Sequence, residues 1–143
     1  MNYRALCAAS FVVLAIIAGC GGGGGDNPNN VTVIVSPAAV TVPANGQVTL
    51  QATVNGLCST CPSSIQVWGI TEDPSAGANC VYFEPPPIGP CPAGAIQETT
   101  GDPSFLTVTY FAPSTPGTYH VTAEWSLPSL PTKVGTSVIT VSP

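Results

Sequence analysis

The sequence predicts an all-β fold in which about seven strands form two packed antiparallel sheets. From residue 31 to residue 141, apolar and polar side chains alternate with a period of two, and helical periodicity is nearly absent. The chain contains 16 prolines, which with Ser, Thr and Gly clusters divide the alternation into short runs. Strands that are apolar on one face and polar on the other favour two sheets packed as a sandwich.

The first predicted strand is bent in the middle. It covers residues 31–35, and after Ser36-Pro37 the chain continues in the same manner over 39–42. Asn45-Gly46 is a typical tight-turn pair. The next strand, 47–54, has an apolar residue at every second position, which predicts one buried face and one exposed face.

Four further strands complete the prediction. Trp68 lies on the inner face of the first of them. In the third, the alternation places Tyr119 and Trp125 inward and His120 outward. The four strands cover residues 65–71, 105–111, 117–125 and 135–141.

The first 25 residues predict export. Arg4 gives the chain a positive start, and an apolar or small-residue run follows over residues 5–18. This run of 14 residues is too short to span a bilayer comfortably, so it is typical of the hydrophobic region of a signal peptide.

The sequence Ile17-Ala18-Gly19-Cys20 resembles the lipobox of bacterial lipoproteins, in which an aliphatic and two small residues precede a cysteine. The resemblance implies that residues 1–19 are a lipoprotein signal peptide and that Cys20 is lipidated. Residues 20–30 would then be the lipidated cysteine and a glycine-rich tether. The residue after Cys20 is Gly21 rather than an aspartate, which resembles lipoproteins that are passed to the outer membrane. We therefore expect a lipid-anchored protein of the cell envelope. An ordinary secreted protein or an uncleaved anchor is the alternative.

The charge of the chain restricts its partners. After Cys20 there are seven acidic residues and one base, Lys133, so the side chains carry a net charge of −6. Nucleic acid and anionic lipid both require clustered Lys and Arg. We therefore expect no nucleic-acid partner, and we expect membrane attachment through acyl chains on Cys20.

Four cysteines remain for disulfides, because Cys7 leaves with the signal peptide and Cys20 is lipidated. An even number in an exported chain predicts two bridges. The strand at 65–71 separates the first two cysteines from the third by the length of the sandwich, so we expect local pairs and leave the other two pairings open. A metal site and a redox Cys-x-x-Cys are less favoured alternatives, because the spacing and the loop position do not suit them. The expected pairs are Cys58–Cys61 and Cys80–Cys91.

Several stretches resemble bacterial Ig-like domains. They are VSP at 35–37 with VPANGQVTLQATV at 42–54, VTYFAPSTPGTYHVTA at 108–123, and SVITV at 137–141. The resemblance implies a single Ig-like Greek-key sandwich over residues 31–143. Trp68 is placed like the buried tryptophan of Ig folds, and Tyr119 like the tyrosine corner, whose hydroxyl bonds upstream backbone.

Residues 72–104 are an insert in this pattern, rich in cysteine and proline and with little alternation. Long irregular stretches in a compact domain are usually functional or held in place. Binding residues tend to lie on loops supported by a rigid scaffold, so we expect any ligand here. The candidate binding residues are Tyr82, Phe83 and Trp125, although Tyr82 and Phe83 could instead be buried at a sheet edge.

Other polar residues give weaker signals. His120 is the single histidine and faces outward, so we expect it to be solvated rather than catalytic. Glu72-Asp73 with Asp102 offers oxygen ligands for calcium, but without a fixed spacing we expect a solvated acidic turn. No catalytic residue, cofactor or metal is predicted.

The sequence therefore predicts a non-catalytic, lipid-anchored envelope module with a structural, adhesive or ligand-binding role. Its partner would be a protein or a glycan. A carbohydrate-binding module at the cell surface is the first alternative. An envelope redox or hydrolytic enzyme is the second, and the scarcity of ionisable side chains disfavours it.

Overall fold

A computed structural model describes residues 30–58, 60–72, 80–82, 91–99, 101–128 and 130–143. Cys20, the predicted signal peptide and Phe83 lie outside these residues, as does the predicted tether before residue 30. The described chain is nearly all β. Its strands are β1 (Thr32–Ser36), β2 (Ala39–Pro43), β3 (Gln47–Asn55), β4 (Val67–Ile70), β5 (Val81–Tyr82), β6 (Ala95–Glu98), β7 (Thr107–Phe111), β8 (Gly117–Trp125) and β9 (Lys133–Ser142).

The strands form two sheets packed as an open sandwich, which confirms the predicted fold class. One sheet has the order β1-β3-β7-β6-β5, and the other has the order β2-β9-β8-β4. Both sheets are mixed rather than purely antiparallel, because β2 pairs in parallel with β9 and β5 pairs in parallel with β6.

The division of the first predicted strand accounts for one of these parallel pairs. The peptide bond between Ser36 and Pro37 is cis, and at this point the chain leaves the five-stranded sheet for the four-stranded one. Val35 pairs with Ala52 of β3, whereas Val40 pairs with Ile139 of β9. Residues on both sides of the bend therefore contribute to the same core from opposite sheets.

The core lies between the sheets and consists of the inward members of the alternating strands. Trp68 and Trp125 are its largest fully buried side chains. Their indole nitrogens donate to backbone carbonyls, to that of Phe105 at 2.7 Å and to that of Pro62 at 2.8 Å. Burial of a tryptophan is favourable when the N–H finds such a partner. Both tryptophans therefore fasten loops to the sandwich.

Tyr119 forms the predicted tyrosine corner. Its ring is buried, and its hydroxyl donates to the carbonyl of Thr115, four residues upstream, at 3.0 Å. This bond holds the connection from β7 into β8 against the start of β8. Within the part of the chain that the structure describes, no helix has the length and hydropathy to cross a membrane.

Strand β9 passes close to β1 of the other sheet at Gly135. A β-carbon added to Gly135 would lie 2.8 Å from the carbonyl oxygen of Val33 and 2.9 Å from its side chain. Backbone cannot yield cheaply in a packed core, so this position requires glycine.

We predict that Gly135→Ala lowers the free energy of unfolding by about 1–3 kcal/mol, because the methyl group overpacks the contact with Val33. Urea denaturation followed by tryptophan fluorescence measures the change. Thr136→Val, at the exposed neighbouring position, is the control and should change stability by less than about 0.5 kcal/mol. Equal effects of the two substitutions would contradict the close approach.

Candidate functional site

One of the two disulfides of the structure lies within the insert. The structure contains the bridges Cys58–Cys61 and Cys80–Cys91, with Cα–Cα distances of 5.1 and 5.8 Å. These are the local pairs expected from the sequence. All four thiols that a metal site would have needed are used in them, and the described residues contain no other cluster of metal-binding side chains.

The insert joins the five-stranded sheet where β6 pairs with β7, and backbone hydrogen bonds within the insert shape this edge. The amide of Ile96 donates to the carbonyl of Cys80 at 2.7 Å, where β5 begins to pair with β6. The amide of Gly94 donates to the carbonyl of Cys91 at 2.9 Å, which forms a turn into β6. The disulfide therefore links two segments that the sheet already holds side by side.

A buried tyrosine fixes the turn before β6. The Tyr110 hydroxyl donates to the carbonyl of Ala93 at 2.7 Å, and the Tyr110 side chain is fully buried. Gly94 has a φ of 94°, and an added β-carbon there would lie 2.7 Å from the Tyr110 hydroxyl. Burial, followed by the electrostatic influence of Tyr119 and Glu72, raises the pKa of Tyr110 far above its ordinary value. The phenol therefore stays protonated and able to donate.

The predicted binding residues have different positions. Tyr82 is half-buried on β5, in register with Gln97 of β6, so it lies at the sheet edge as expected. Phe83 lies outside the described residues. Trp125 is fully buried and was wrongly proposed as a binding residue. The alternation that turns it inward, with its bond to the Pro62 carbonyl, excludes it from any exposed surface.

Asp102 organises the loop between β6 and β7. Its Oδ1 accepts hydrogen bonds from the Ser104 amide at 3.0 Å and the Ser104 hydroxyl at 2.5 Å. Its Oδ2 accepts from the amides of Leu106 and Thr107 at 3.0 and 3.1 Å. The Ser104 hydroxyl is the main cause that lowers the pKa of Asp102, and the backbone amides add to it. The loop includes Phe105, which has a positive φ of 53° and whose carbonyl accepts the Trp68 indole N–H.

Glu72 pairs with His120 on the outer side of β8. One carboxylate oxygen accepts the His120 backbone amide at 2.8 Å, and the other contacts His120 Nδ1. Burial would raise the pKa of Glu72, but the hydrogen bonds from His120 lower it overall. The predicted solvated histidine is thus partly exposed but paired. Of the three acids considered as calcium ligands, Asp73 lies outside the described residues. The carboxylates of Glu72 and Asp102 accept hydrogen bonds from different partners in separate parts of the structure.

Glu98 is the one described acid that faces inward. It ends β6 in register with Val108, which is fully buried. Its Oε2 is buried and accepts no hydrogen bond from the described residues. Burial raises the pKa of Glu98. This inward position was not predicted, because no alternation was recognised in the insert at residues 95–98.

No protein-family model and no curated protein matches the chain. Among the solved structures that match is a chain from work on the structural basis of T cell specificity and activation by the bacterial superantigen toxic shock syndrome toxin-1. It is 14% identical, with a TM-score of 0.40, and the match covers 78% of this chain and 99% of that one. A likeness at this level carries no argument about function. Fold and site together define a disulfide-bonded β-sandwich domain.

We predict that Tyr110→Phe lowers the free energy of unfolding by about 1–2 kcal/mol, since it leaves the Ala93 carbonyl without its partner. Chemical denaturation measures the loss. Tyr119→Phe is a comparable control, because it also removes one hydroxyl bond to backbone. Only Tyr110→Phe should speed proteolysis within residues 80–98. Equal susceptibility of both variants in that region would contradict the role of Tyr110.

The acids Asp102 and Glu98 should change stability with pH in opposite ways. The pKa of Asp102 is lowered by folding, so its contribution is present above its ordinary value of 3.8 and is lost as pH falls through the folded value. The pKa of Glu98 is raised by folding, so its charge destabilises the protein above the folded value. This penalty disappears as pH falls towards its ordinary value of 4.5.

Two variants test these signs in denaturation curves between pH 3 and pH 8. Asp102→Asn should be less stable than the parent chain at pH 7, with a difference that shrinks below about pH 4. Glu98→Gln should be more stable at pH 7 and should match the parent at low pH. A Glu98→Gln variant that is destabilised at pH 7 and recovers at pH 3 would contradict the burial of an ionised Glu98.

Proposed function

We propose that this protein is a lipid-anchored, non-catalytic module of the bacterial cell envelope that binds a partner at the disulfide-bonded edge of its sandwich. The observation that carries the binding role is the Cys80–Cys91 edge. There a disulfide, the sheet pairing of β5 with β6 and the buried Tyr110 bond all act on one short segment. Such a rigid scaffold is the setting in which binding residues are usually found.

The sequence supports the anchor and the location. Ile17-Ala18-Gly19-Cys20 resembles a lipobox, and after Cys20 the chain has one base, so acyl chains are the evident means of attachment. The two disulfides support an oxidising, extracytoplasmic environment. The proposed location is the cell envelope, with the outer membrane favoured by Gly21, and the proposed family is that of bacterial Ig-like domains.

A non-catalytic role is favoured because described ionisable side chains are occupied in local hydrogen bonds and an ion pair. The carboxylates of Glu72 and Asp102 take part in local hydrogen bonds, and His120 is paired with Glu72. Catalytic sites bring such groups together in a cleft with shifted pKa values. Here the described groups stand apart, so an adhesive or ligand-binding role fits better than an envelope enzyme.

The anchor is tested by expressing the full chain and its Cys20→Ser variant in a bacterial host and separating the membrane and soluble fractions. The parent chain should be in the membrane fraction and incorporate radiolabelled palmitate. Cys20→Ser should lose the label and most of its membrane association, because no other attachment is evident.

Cys7→Ser is the matched control, since it also removes a cysteine from the leader but leaves the lipobox-like sequence intact. It should behave as the parent chain does. Membrane retention of Cys20→Ser, or palmitate incorporation without Cys20, would overturn the proposed anchor.

A further inference from the structure

The exposed side chains that the structure describes on the outer face of the five-stranded sheet are uncharged, and all but Ile34 of β1, which is 54% exposed, are polar. Strand β3, between β1 and the central strand β7, alternates inward apolar residues with exposed polar ones. The outward side chains of β3 are all amides and hydroxyls. They are Gln47, Thr49, Gln51, Thr53 and Asn55.

The sheet register extends this polar surface as far as the insert. Thr49 is opposite Thr109 of β7, Thr109 is opposite Gln97 of β6, and Gln97 is opposite Tyr82 of β5. Residues in register across adjacent strands point to the same face and lie about 4.8 Å apart. One row therefore runs from β3, across the central strand β7, to an aromatic side chain at the edge of the sheet.

The charged side chains of the described residues lie elsewhere. Glu98 faces inward, and Asp102 lies in the loop after β6. Glu124 and Lys133 belong to the strands of the four-stranded sheet, and Glu72 contacts that sheet through His120. A chain with a net charge of −5 thus presents a whole sheet face on which no described side chain carries a charge at neutral pH.

We propose that this face, with the row Thr49–Thr109–Gln97–Tyr82 at its centre, binds a neutral glycan. Hydroxyl and amide groups both donate and accept hydrogen bonds, which suits a ligand made of hydroxyl groups. The negatively polarised face of the Tyr82 ring attracts the C–H groups of a sugar. This inference rests on the binding role proposed above and names its ligand class; it does not depend on the anchor.

The charge distribution favours a glycan of this kind over other partners. An anionic polymer would meet no cation on this face and would be repelled by the acidic chain. The centre of a protein interface is usually apolar and aromatic, whereas the row across the middle of this face presents the hydroxyl and amide side chains of Thr49, Thr109 and Gln97. A neutral, hydroxyl-rich chain avoids both difficulties.

Native gel electrophoresis with embedded polysaccharide tests the proposal on the full chain in mild detergent. The neutral probes are a mixed-linkage β-glucan, a galactomannan and an arabinoxylan, and polygalacturonate is the anionic comparison. We expect retardation by at least one neutral probe and none by polygalacturonate. Each variant is compared with its own mobility in a gel without polysaccharide.

Matched variants locate the surface. Thr49→Asp places a charge in the row and should weaken retardation at least about tenfold, since it introduces a charge that must be desolvated. Thr140→Asp makes the same change at an exposed position of β9 on the other sheet and should stay within about twofold. Tyr82→Ala should weaken retardation about fivefold.

Three results would overturn the inference: no retardation by any neutral probe, equal loss in Thr49→Asp and Thr140→Asp, or a dimer that Thr49→Asp dissociates without any glycan binding. The last would show that a second copy of the chain covers this face. If membrane attachment depends on Cys20 but no polysaccharide retards the chain, the anchor proposal stands and the glycan inference fails. The two proposals can therefore fail separately.

Discussion

The bond from the Tyr110 hydroxyl to the Ala93 carbonyl is the contact on which the proposed site depends. Tyr110 belongs to β7 in the middle of the five-stranded sheet, and Ala93 belongs to the insert. A buried carbonyl must be paired, so this bond determines where the turn before β6 lies. This turn places β6 against β7. As a consequence, β5 and the Cys80–Cys91 bridge lie at the edge of the sheet. The insert is thereby part of the sheet.

The two strands that extend the sheet into the insert also supply part of the proposed binding surface. Without β6 and β5, the outer face of the sheet would end at Thr109 and would lack the Gln97 and Tyr82 positions. The disulfide restricts the unfolded chain as well as the edge, by about 3 kcal/mol for a loop of this length. An exposed sheet edge is usually protected against unwanted pairing. Here the edge strand β5 is only two residues long, and it carries the aromatic residue of the proposed surface.

Local sequence patterns predicted those features that depend on local alternation. The period of two predicted the sandwich and the inward positions of Trp68 and Tyr119. The resemblance to Ig folds predicted the tyrosine corner, and the strand between Cys61 and Cys80 favoured the two local disulfides. The transfer of the chain between sheets at Ser36-Pro37 was not predicted, because a single interrupted strand and two strands in different sheets show the same alternation. The four-residue β6 is too short to show a pattern, and β5 was anticipated only as the alternative in which Tyr82 lies at a sheet edge.

Features that depend on distant partners were also missed. The Glu72–His120 pair joins residues 48 positions apart, and no periodicity brings them together. The error on Trp125 has a different origin: its strand pattern already placed it inward, and the preference for aromatic residues in binding sites was given more weight. The uncharged outer face could not be predicted without the sheet register, because Thr49 and Tyr82 fall in the same row only through the pairing of β3 with β7 and of β7 with β6.

Native-state amide hydrogen exchange at Ile96 tests most directly whether the insert is part of the sheet. The amide of Ile96 donates to the Cys80 carbonyl and joins β6 to β5. The account predicts that Ile96 is protected nearly as strongly as the amides of β3 and β7, and that Tyr110→Phe lowers this protection more than theirs. Exchange of Ile96 at the rate of an exposed loop amide in the parent chain would contradict it.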